Sequence, residues 1–500
     1  MVYYGALSKG CQRCRQRKIK CDQRRPGCLK CEKAKTPCPG FRNLNDVMFR
    51  DESLRIIKRV RKTYDDNAPL EQRAPLIVHN AVPTVQLQSN GSDGATTADS
   101  PRVPRVLPLP IIEMAANFFF AKYTCDEPPL SSDFFSWLAK MYNQNQPNYA
   151  FRAVIEATGM AGISNVNYAP EIASKAKERY VEALAATKQA LNNPHESVSD
   201  ATLVTVINLG IFEFITFEDW DLYHSWSAHL DGATALLQLR GQEQFNHERG
   251  EQLFAQFRSQ LLYACLQQDL APPQALRELH QDFRGSIRGK PRMTVKPGQM
   301  IDISYRLLDL RAAIKNGDMT DHDAILDVAI QMDNDLKSWR ASLPPVWAYA
   351  TVDAHDIPAG SYFGGKQHVY SSPYIAQVWN NWRTQRILVN RIIFDHQPPY
   401  DTASRSQEYF LLSLIQELSV EICISAPNFL GKPRSTTLIW PLLVVAQEPL
   451  NLYNERSWAT EVLRHIGSVM GVRRASLLAD DISRTIIRPK YHTVHNFRNL

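Results

Sequence analysis

Long apolar runs are missing from this chain: no stretch of its 500 residues approaches the roughly 18 consecutive apolar residues that a membrane span needs. The opening segment, MVYYGALSKG, lacks a charged stretch followed by an apolar one, so no secretory signal is visible and a reducing compartment is expected. Cysteine is scarce, with nine in all, yet six of them fall between residues 11 and 38. Under reducing conditions such a cluster points to metal ligation rather than to disulfides. The remaining three, Cys125, Cys265 and Cys423, stand alone and are expected as small apolar core residues. Phe, Trp and Tyr are absent from residues 66–110, where seven prolines occupy 45 positions. That segment cannot bury enough surface to fold and is expected as a linker. The final residues, RTIIRPKYHTVHNFRNL, are basic and form no acidic activation tail.

What is present is distributed unevenly. Residues 1–42 hold twelve Lys and Arg against Asp22 and Glu32, a net of +10, and residues 43–63 add +3. The whole chain is only +6, so residues 64–500 carry −7. A cationic head on a neutral or acidic body is the asymmetry of a polyanion-binding module.

The six clustered cysteines fall into two halves. Cys11-x2-Cys14-x6-Cys21 is followed by Cys28-x2-Cys31-x6-Cys38, the second half repeating the first at an offset of 17. Each CxxC places two sulfurs on one helical face, and the third cysteine returns to the same metal. Tetrahedral zinc takes four ligands, so two ions need eight ligand positions, which six cysteines fill only when two sulfurs bridge. By the internal symmetry the bridging pair should be equivalent residues, one from each half. Three cysteines per ion without bridging would leave an open site, better suited to catalysis than to scaffolding. An iron–sulfur cluster commonly takes four cysteines rather than a doubled three, and a metal store has no need of twelve basic residues.

The pattern Cx2Cx6Cx6Cx2Cx6C, with CRxRKxKCD and a proline before the fourth cysteine, resembles the fungal-type binuclear zinc cluster of transcription factors over residues 11–38. The resemblance implies two zinc ions, with Cys11 and Cys28 bridging, Cys14 and Cys21 completing one site, and Cys31 and Cys38 completing the other. It also implies that Pro26 sits in the loop joining the halves.

The basic residues can be sorted by what each could contact. The first half carries Arg13, Arg15, Arg17, Lys18 and Lys20, and it is the better groove reader; the second has Lys30, Lys33 and Lys35, interrupted by Glu32. An ideal helix running from Cys11 would point Lys18 at the metals, so the helix is expected to end near Arg17 or Lys18. A lysine or arginine there can donate to guanine O6 and N7, and a free carbonyl can accept from cytosine N4. The resemblance implies that this helix end reads a CGG-type triplet. Arg15, Lys20, Arg24 and Lys30 are expected on phosphates, which position a module without specifying sequence. The following stretch, NLNDVMFRDESLRIIKRVRKTYDD, looks helical, but its register of Val47, Leu54 and Ile57 is broken by Arg50 and Arg61 and spans under three heptads. A sustained zipper needs at least three or four, so pairing is expected to need the larger domain. RIIKRVRK (55–62) also reads as a nuclear-import or phosphate patch.

From Ile111 onward aromatics return and apolar residues recur at helical spacing. In DLYHSWSAHLDGATALLQLRG, Leu222, Trp226, Leu230, Ala233 and Leu237 share a face, and Gly241 ends the helix. Further amphipathic stretches are read around 170–192, 198–217, 246–268, 301–315, 322–342, 373–395, 407–425 and 456–478. Strand alternation is scarce, so the chain is expected to be mainly α, with an all-helical domain over 111–500. AHLDGATALLQLRG and WNNWRTQRILVNRII are similar to the helical regulatory domain that accompanies this cluster in fungal regulators.

No catalytic constellation is evident. GSYFGGKQ (360–367) nearly matches a phosphate-binding loop, but Gln367 replaces the hydroxyl needed for magnesium, and a flexible loop is expected. Ser225, His229 and Asp231 lie on one predicted helix without a nucleophile elbow. His247-Glu248 lacks the second histidine of HExxH. The expected organisation is therefore a cluster domain at 8–42, a basic helical extension at 43–65, a disordered linker at 66–110 and a helical regulatory domain at 111–500. The expected function is that of a nuclear, DNA-binding regulator of RNA polymerase II genes, partnered by double-stranded DNA and the transcription machinery, with no membrane and with homodimerisation through the helical domain. The rival reading is a sensor in which aromatic-rich helices bind a small metabolite and switch the DNA-binding head.

Overall fold

The structure is a computed structural model. It describes residues 11–39, except 12, 15, 16, 18, 23, 25, 26, 35 and 37, and residues 110–124, 136–144, 148–217, 223–287, 297–354, 362–398 and 402–486. The 43–65 extension with its Val47, Leu54 and Ile57 register, nearly all of the linker, Cys125, Arg15, Lys18, Pro26 and Lys35 lie outside the described residues. Among its described residues the cysteine segment contributes the short helix α1 (Leu29–Lys33), and Arg13 and Cys14 are also helical. Its buried cysteines form a cluster of their own, separate from the large apolar core of the body.

That body is built of helices: α2 (Ile111–Tyr123), α3 (Ser136–Tyr142), α4 (Tyr149–Asn167), α5 (Pro170–Asn192), α6 (Asp200–Ile215), α7 (Tyr223–Arg240), α8 (Glu248–Gln268), α9 (Gln274–Ile287), α10 (Pro297–Asn316), α11 (His322–Ala341), α12 (Pro373–His396), α13 (Thr402–Ser425), α14 (Ile439–Gln447), α15 (Tyr453–Met470) and α16 (Arg473–Thr485). The central element is α4. Asn148 caps it by accepting the Phe151 N–H, and every residue from Phe151 to Ser164 except Arg152 is buried. A helix buried all round has no polar face, so it leaves no amphipathic signal in the sequence. The sequence accordingly shows no amphipathic stretch over α4. Close packing on α4 depends on two glycines. A Cβ on Gly159 would lie 1.9 Å from the Ala115 carbonyl oxygen, and one on Gly162 would lie 2.4 Å from the Phe118 ring and the Tyr123 hydroxyl. The bare backbone lets α2 cross α4 in contact, and the Tyr123 hydroxyl then donates to the Met470 carbonyl at 2.7 Å.

Three expectations change. The stretch at 456–478 is two helices, because Gly471 adopts φ 67° and ends α15, and Asn165 on α4 donates to its carbonyl at 2.8 Å. The glycine-rich GSYFGGKQ segment leads into a β-hairpin rather than forming only a flexible loop. Gly364 and Gly365 take left-handed φ values, and β1 (Ala350–Asp353) pairs antiparallel with β2 (Lys366–Val369), Thr351 facing His368. Third, α9 was not read, although Leu276, Leu279 and Phe283 recur at helical spacing and are buried. The lone residues Cys265 and Cys423 are buried in the core, as small apolar residues would be.

α12 carries the buried polar spine of the domain. Trp379 and Trp382 donate their indole N–H groups to the carbonyls of Trp347 and Leu336, at 2.8 and 2.9 Å. Arg386 and Asn390 converge on Asp333 of α11. Arg383, fully buried, donates to the Tyr370 hydroxyl, Asn380 Oδ1 and Glu421 Oε2 at 2.8, 2.9 and 3.0 Å. Its partner Glu421 lies on α13, which together with the turn after it forms a stretch, Ser406–Asn428, apolar enough on average, at a mean hydropathy of 1.4, to cross a membrane by composition. More than half of that stretch is buried inside the bundle, and the Arg383–Glu421 pair sits within it.

Burial alone would raise the Glu421 carboxyl, but contact with His368, the Arg383 charge and the Tyr349 hydroxyl together hold it down to about 2. A carboxylate depressed in the folded state stabilises above its ordinary range and loses that stabilisation as pH falls through the folded value. Thermal stability of the body should therefore drop between the ordinary glutamate range near pH ~4.5 and pH ~2, and E421Q should flatten that part of the profile. At neutral pH, E421A should cost about 2–3 kcal/mol, less than a fully buried pair because Glu421 stays partly open to solvent. Denaturant melts across the pH series check both.

Candidate metal centre and nucleic-acid interface

The two halves of the cysteine segment fold alike. In the first, Arg13 and Cys14 are helical, the Arg17 N–H bonds the Arg13 carbonyl at 3.1 Å, and the Ile19 N–H reaches back to the Cys14 carbonyl at 3.0 Å. In the second, the Thr36 N–H reaches the Cys31 carbonyl at 3.2 Å, the same bond displaced by 17 residues. A long bond of this kind closes a helix and turns the chain away. Its placement ends the first helix at Arg17–Ile19, before Lys20 and Cys21.

These turns bring six sulfurs together. Cys11, Cys14, Cys21 and Cys28 form one group whose sulfurs all lie within 4.8 Å of one another, and Cys11, Cys28, Cys31 and Cys38 form a second. Cys11 and Cys28 belong to both groups, with their sulfurs 3.6 Å apart. Cys11–Cys31 and Cys14–Cys28 are each 3.7 Å apart. Disulfide bonds at about 2.05 Å are excluded by these separations. The edge of a tetrahedron of sulfurs around zinc, at about 2.3 Å per bond, is about 3.8 Å, so the donor set fits a thiolate-bound ion. Without a cation, burial pushes the Cys11 thiol up to about 12, and Cys28 is pushed up as well. An ion entering the site must therefore displace protons. The Cys11 N–H points at Cys21 Sγ from 3.5 Å, a donor of the kind that steadies a thiolate ligand.

Two further contacts tie the halves together. Asp22 Oδ2 accepts the Leu29 N–H at 3.1 Å, filling an open donor at the start of α1, where Cys28 itself supplies no side-chain cap. The Arg13 guanidinium turns towards the second half, with Nη1 3.5 Å from the Lys30 carbonyl and 3.9 Å from Cys31 Sγ. Neither role is visible in the sequence, because the partners lie 18 residues from Arg13 and 7 from Asp22; the expectation of Arg13 as a DNA contact rests on its charge alone. Lys20 and Arg17 are exposed, as are Lys30 and Lys33 on α1. Arg24 pairs with Glu32 at 2.6 Å on the surface, a bond weak enough to open for a phosphate.

In the helical domain, His229 meets Tyr180 and Glu213 at 3.0 and 3.3 Å, a polar contact between helices. An open groove of about 800 Å³ runs between the α4–α5 turn and α15–α16, with Ser164, Thr216, Ser468 and Ser476 in its walls. The aromatic residues suggested as a pocket lining instead pack on one another: Trp339 meets Trp347 and Trp379 edge-on at 6.5 and 6.4 Å, and Trp379 meets Trp382 at 5.5 Å.

Comparison with known proteins gives two family matches: residues 9–46 to the fungal Zn(2)-Cys(6) binuclear cluster domain, and residues 119–478 to the fungal specific transcription factor domain. White-opaque regulator 2 of Candida albicans is 50% identical over 38 residues, a match spanning 8% of each chain. Transcription factor dbaG of Emericella nidulans is 24% identical over 424 residues, covering 75% of this chain and 93% of that protein. No solved structure matches.

One consequence concerns the Asp22 bond. The Leu29 N–H holds the Asp22 carboxyl below the usual carboxylate range, so the contact is present at neutral pH and is lost as pH falls through that depressed value. D22A should speed hydrogen exchange at the Leu29 amide in the metal-loaded protein, and D22N should restore most of the protection by keeping an acceptor.

Proposed function

The chain belongs to the fungal zinc-cluster transcription factors that carry a fungal specific helical domain, and from that premise we propose that it is a nuclear regulator of RNA polymerase II genes that reads CGG-type triplets. The observation that carries this reading is the pair of overlapping sulfur groups, with Cys11 and Cys28 in both, set in a segment of net charge +10. Two zinc ions would be held there, Cys11 and Cys28 serving both, Cys14 and Cys21 one, Cys31 and Cys38 the other. Metal bound there would serve as scaffold for the first helix end, from which Lys18 and the last carbonyls would read base edges while Arg15, Arg17 and Lys20 would contact the phosphate backbone. The proposed division of the chain is a head at 8–42, a basic helical extension at 43–65 carrying the import patch, a linker at 66–110 and the regulatory body at 111–500. A 45-residue linker spans about 35–40 Å root-mean-square, enough for paired bodies to set two heads on separate triplets.

Metal analysis of the purified chain should give two zinc ions, and sedimentation of the same sample should give a dimer. C11A or C28A should lose both ions, whereas C38A should weaken mainly one. A single ion in the unaltered chain, or one retained by C11A, would remove the shared-thiolate arrangement.

Reading and positioning separate on DNA. K18A should weaken binding to a CGG-containing site by about 1–3 kcal/mol and relax the preference for guanine. K30A should weaken all sequences alike and lower the salt slope by about one. Equal losses on CGG and scrambled DNA from both changes would take Lys18 out of the reading role.

A further inference from the structure

The doubled cysteine pattern makes the two halves equivalent in ligands, but the structure does not treat them equally. Arg13 occupies the position that Lys30 occupies in the second half, 17 residues on. Lys30 is exposed on α1, while the half-buried Arg13 crosses to the other half and brings Nη1 to 3.5 Å from the Lys30 carbonyl and 3.9 Å from Cys31 Sγ. We propose that Arg13 is a positioning residue for the metal cluster, donating to the Cys31 thiolate and the neighbouring carbonyl, and not one of the residues that grip DNA.

The reason lies in the charge of the site. Building on the two-ion reading, two dications bound by six thiolates leave a net charge of about −2. Cys11 and Cys28 each divide their charge between two ions, whereas Cys31 would serve a single ion and keep more charge on its sulfur. A guanidinium is suited to that sulfur because its charge persists at all working pH values, and here its Nη1 faces both the carbonyl and the sulfur. Donors of this kind fix the orientation of a ligand, and their removal typically weakens metal retention about 10–100-fold. The same contact joins the first helix to the start of the second, across 17 and 18 residues of sequence, so it also sets how the two halves face each other. A lysine at this place would keep the charge and could donate to both acceptors from one nitrogen, but as a more strongly hydrated ammonium on a flexible stem it would hold them less firmly.

The test uses the full-length chain and its variants R13A, R13K and R13Q. Zinc content and zinc transfer to a chromogenic chelator are measured first, and the salt dependence of DNA binding second. The unaltered chain sets the reference: two ions per chain are required, and one ion would overturn the two-ion reading together with this proposal. Given two ions, R13A should release zinc about 10–100-fold more readily. R13K, which keeps a charged donor, should restore part of the retention, and R13Q, which keeps only a neutral donor, should restore less. Should R13A take up no zinc at all, R13K and R13Q decide by the same ordering. The salt slope of the loaded variants should match that of the unaltered chain. Unchanged zinc retention with a slope lowered by about one in R13A and restored in R13K would overturn the proposal and return Arg13 to the phosphate backbone.

Discussion

Six sulfurs drawn into one small volume are the constraint on which the head of this protein depends. Among its described residues the buried ones are Cys11, Cys14, Cys28 and Cys31, with no aliphatic side chain among them to hold the turns in place. As thiols these groups resist ionisation through burial, and as thiolates they would repel one another at 3.6–3.7 Å. A divalent cation resolves both difficulties, which is why metal binding and folding are one event in units of this size. Because the interior is sulfur, the other described side chains are exposed or half-buried, and most of the charged ones are basic. The cationic surface is therefore a consequence of the same economy of core that the cysteines provide.

The helical body solves burial differently. α4 is surrounded on all sides, and two of its glycines accept α2 at backbone contact. α12 then carries charged groups into the interior with partners already in place: Arg386 with Asp333, and Arg383 with Glu421, Tyr370 and Asn380. Breaking one member of such a set exposes the others to a medium that solvates them poorly, so the set fixes the relative placement of α11, α12 and α13. The tryptophans around it fill the remaining space edge-to-face, which spends their surfaces on one another.

Much of this was legible in advance, and what was missed had physical causes. Helices with one wet face, such as α5 and α11, announce themselves by spacing. α4 does not, because immersion removes the polar face that creates the pattern. The split at Gly471 and the pairing of Ala350–Asp353 with Lys366–Val369 involve left-handed glycines. Gly471 packs against Gly162 and its carbonyl accepts from Asn165, whereas Gly364 and Gly365 are open and serve only by their backbone conformation. In the head, the ligand set followed from a repeat of 17, but Arg13 and Asp22 were read by charge alone. Their partners, Cys31 and Leu29, lie 18 and 7 residues away and become neighbours only after the turns close.

The sequence by itself determined the chemistry: six cysteines at metal spacing, a basic head on an acidic body, and enough apolar periodicity for a large helical domain. These follow from residue identity and local spacing, which the chain carries whether folded or not. The structure places Cys11 and Cys28 in both sulfur groups, the pair the family resemblance implied, and it alone decided that Arg13 faces the Cys31 sulfur and that Glu421 holds its charge beside a buried arginine. Each of those depends on distances between residues far apart in the chain, and burial with a specific partner, not residue type, sets the charge and donor role of a side chain.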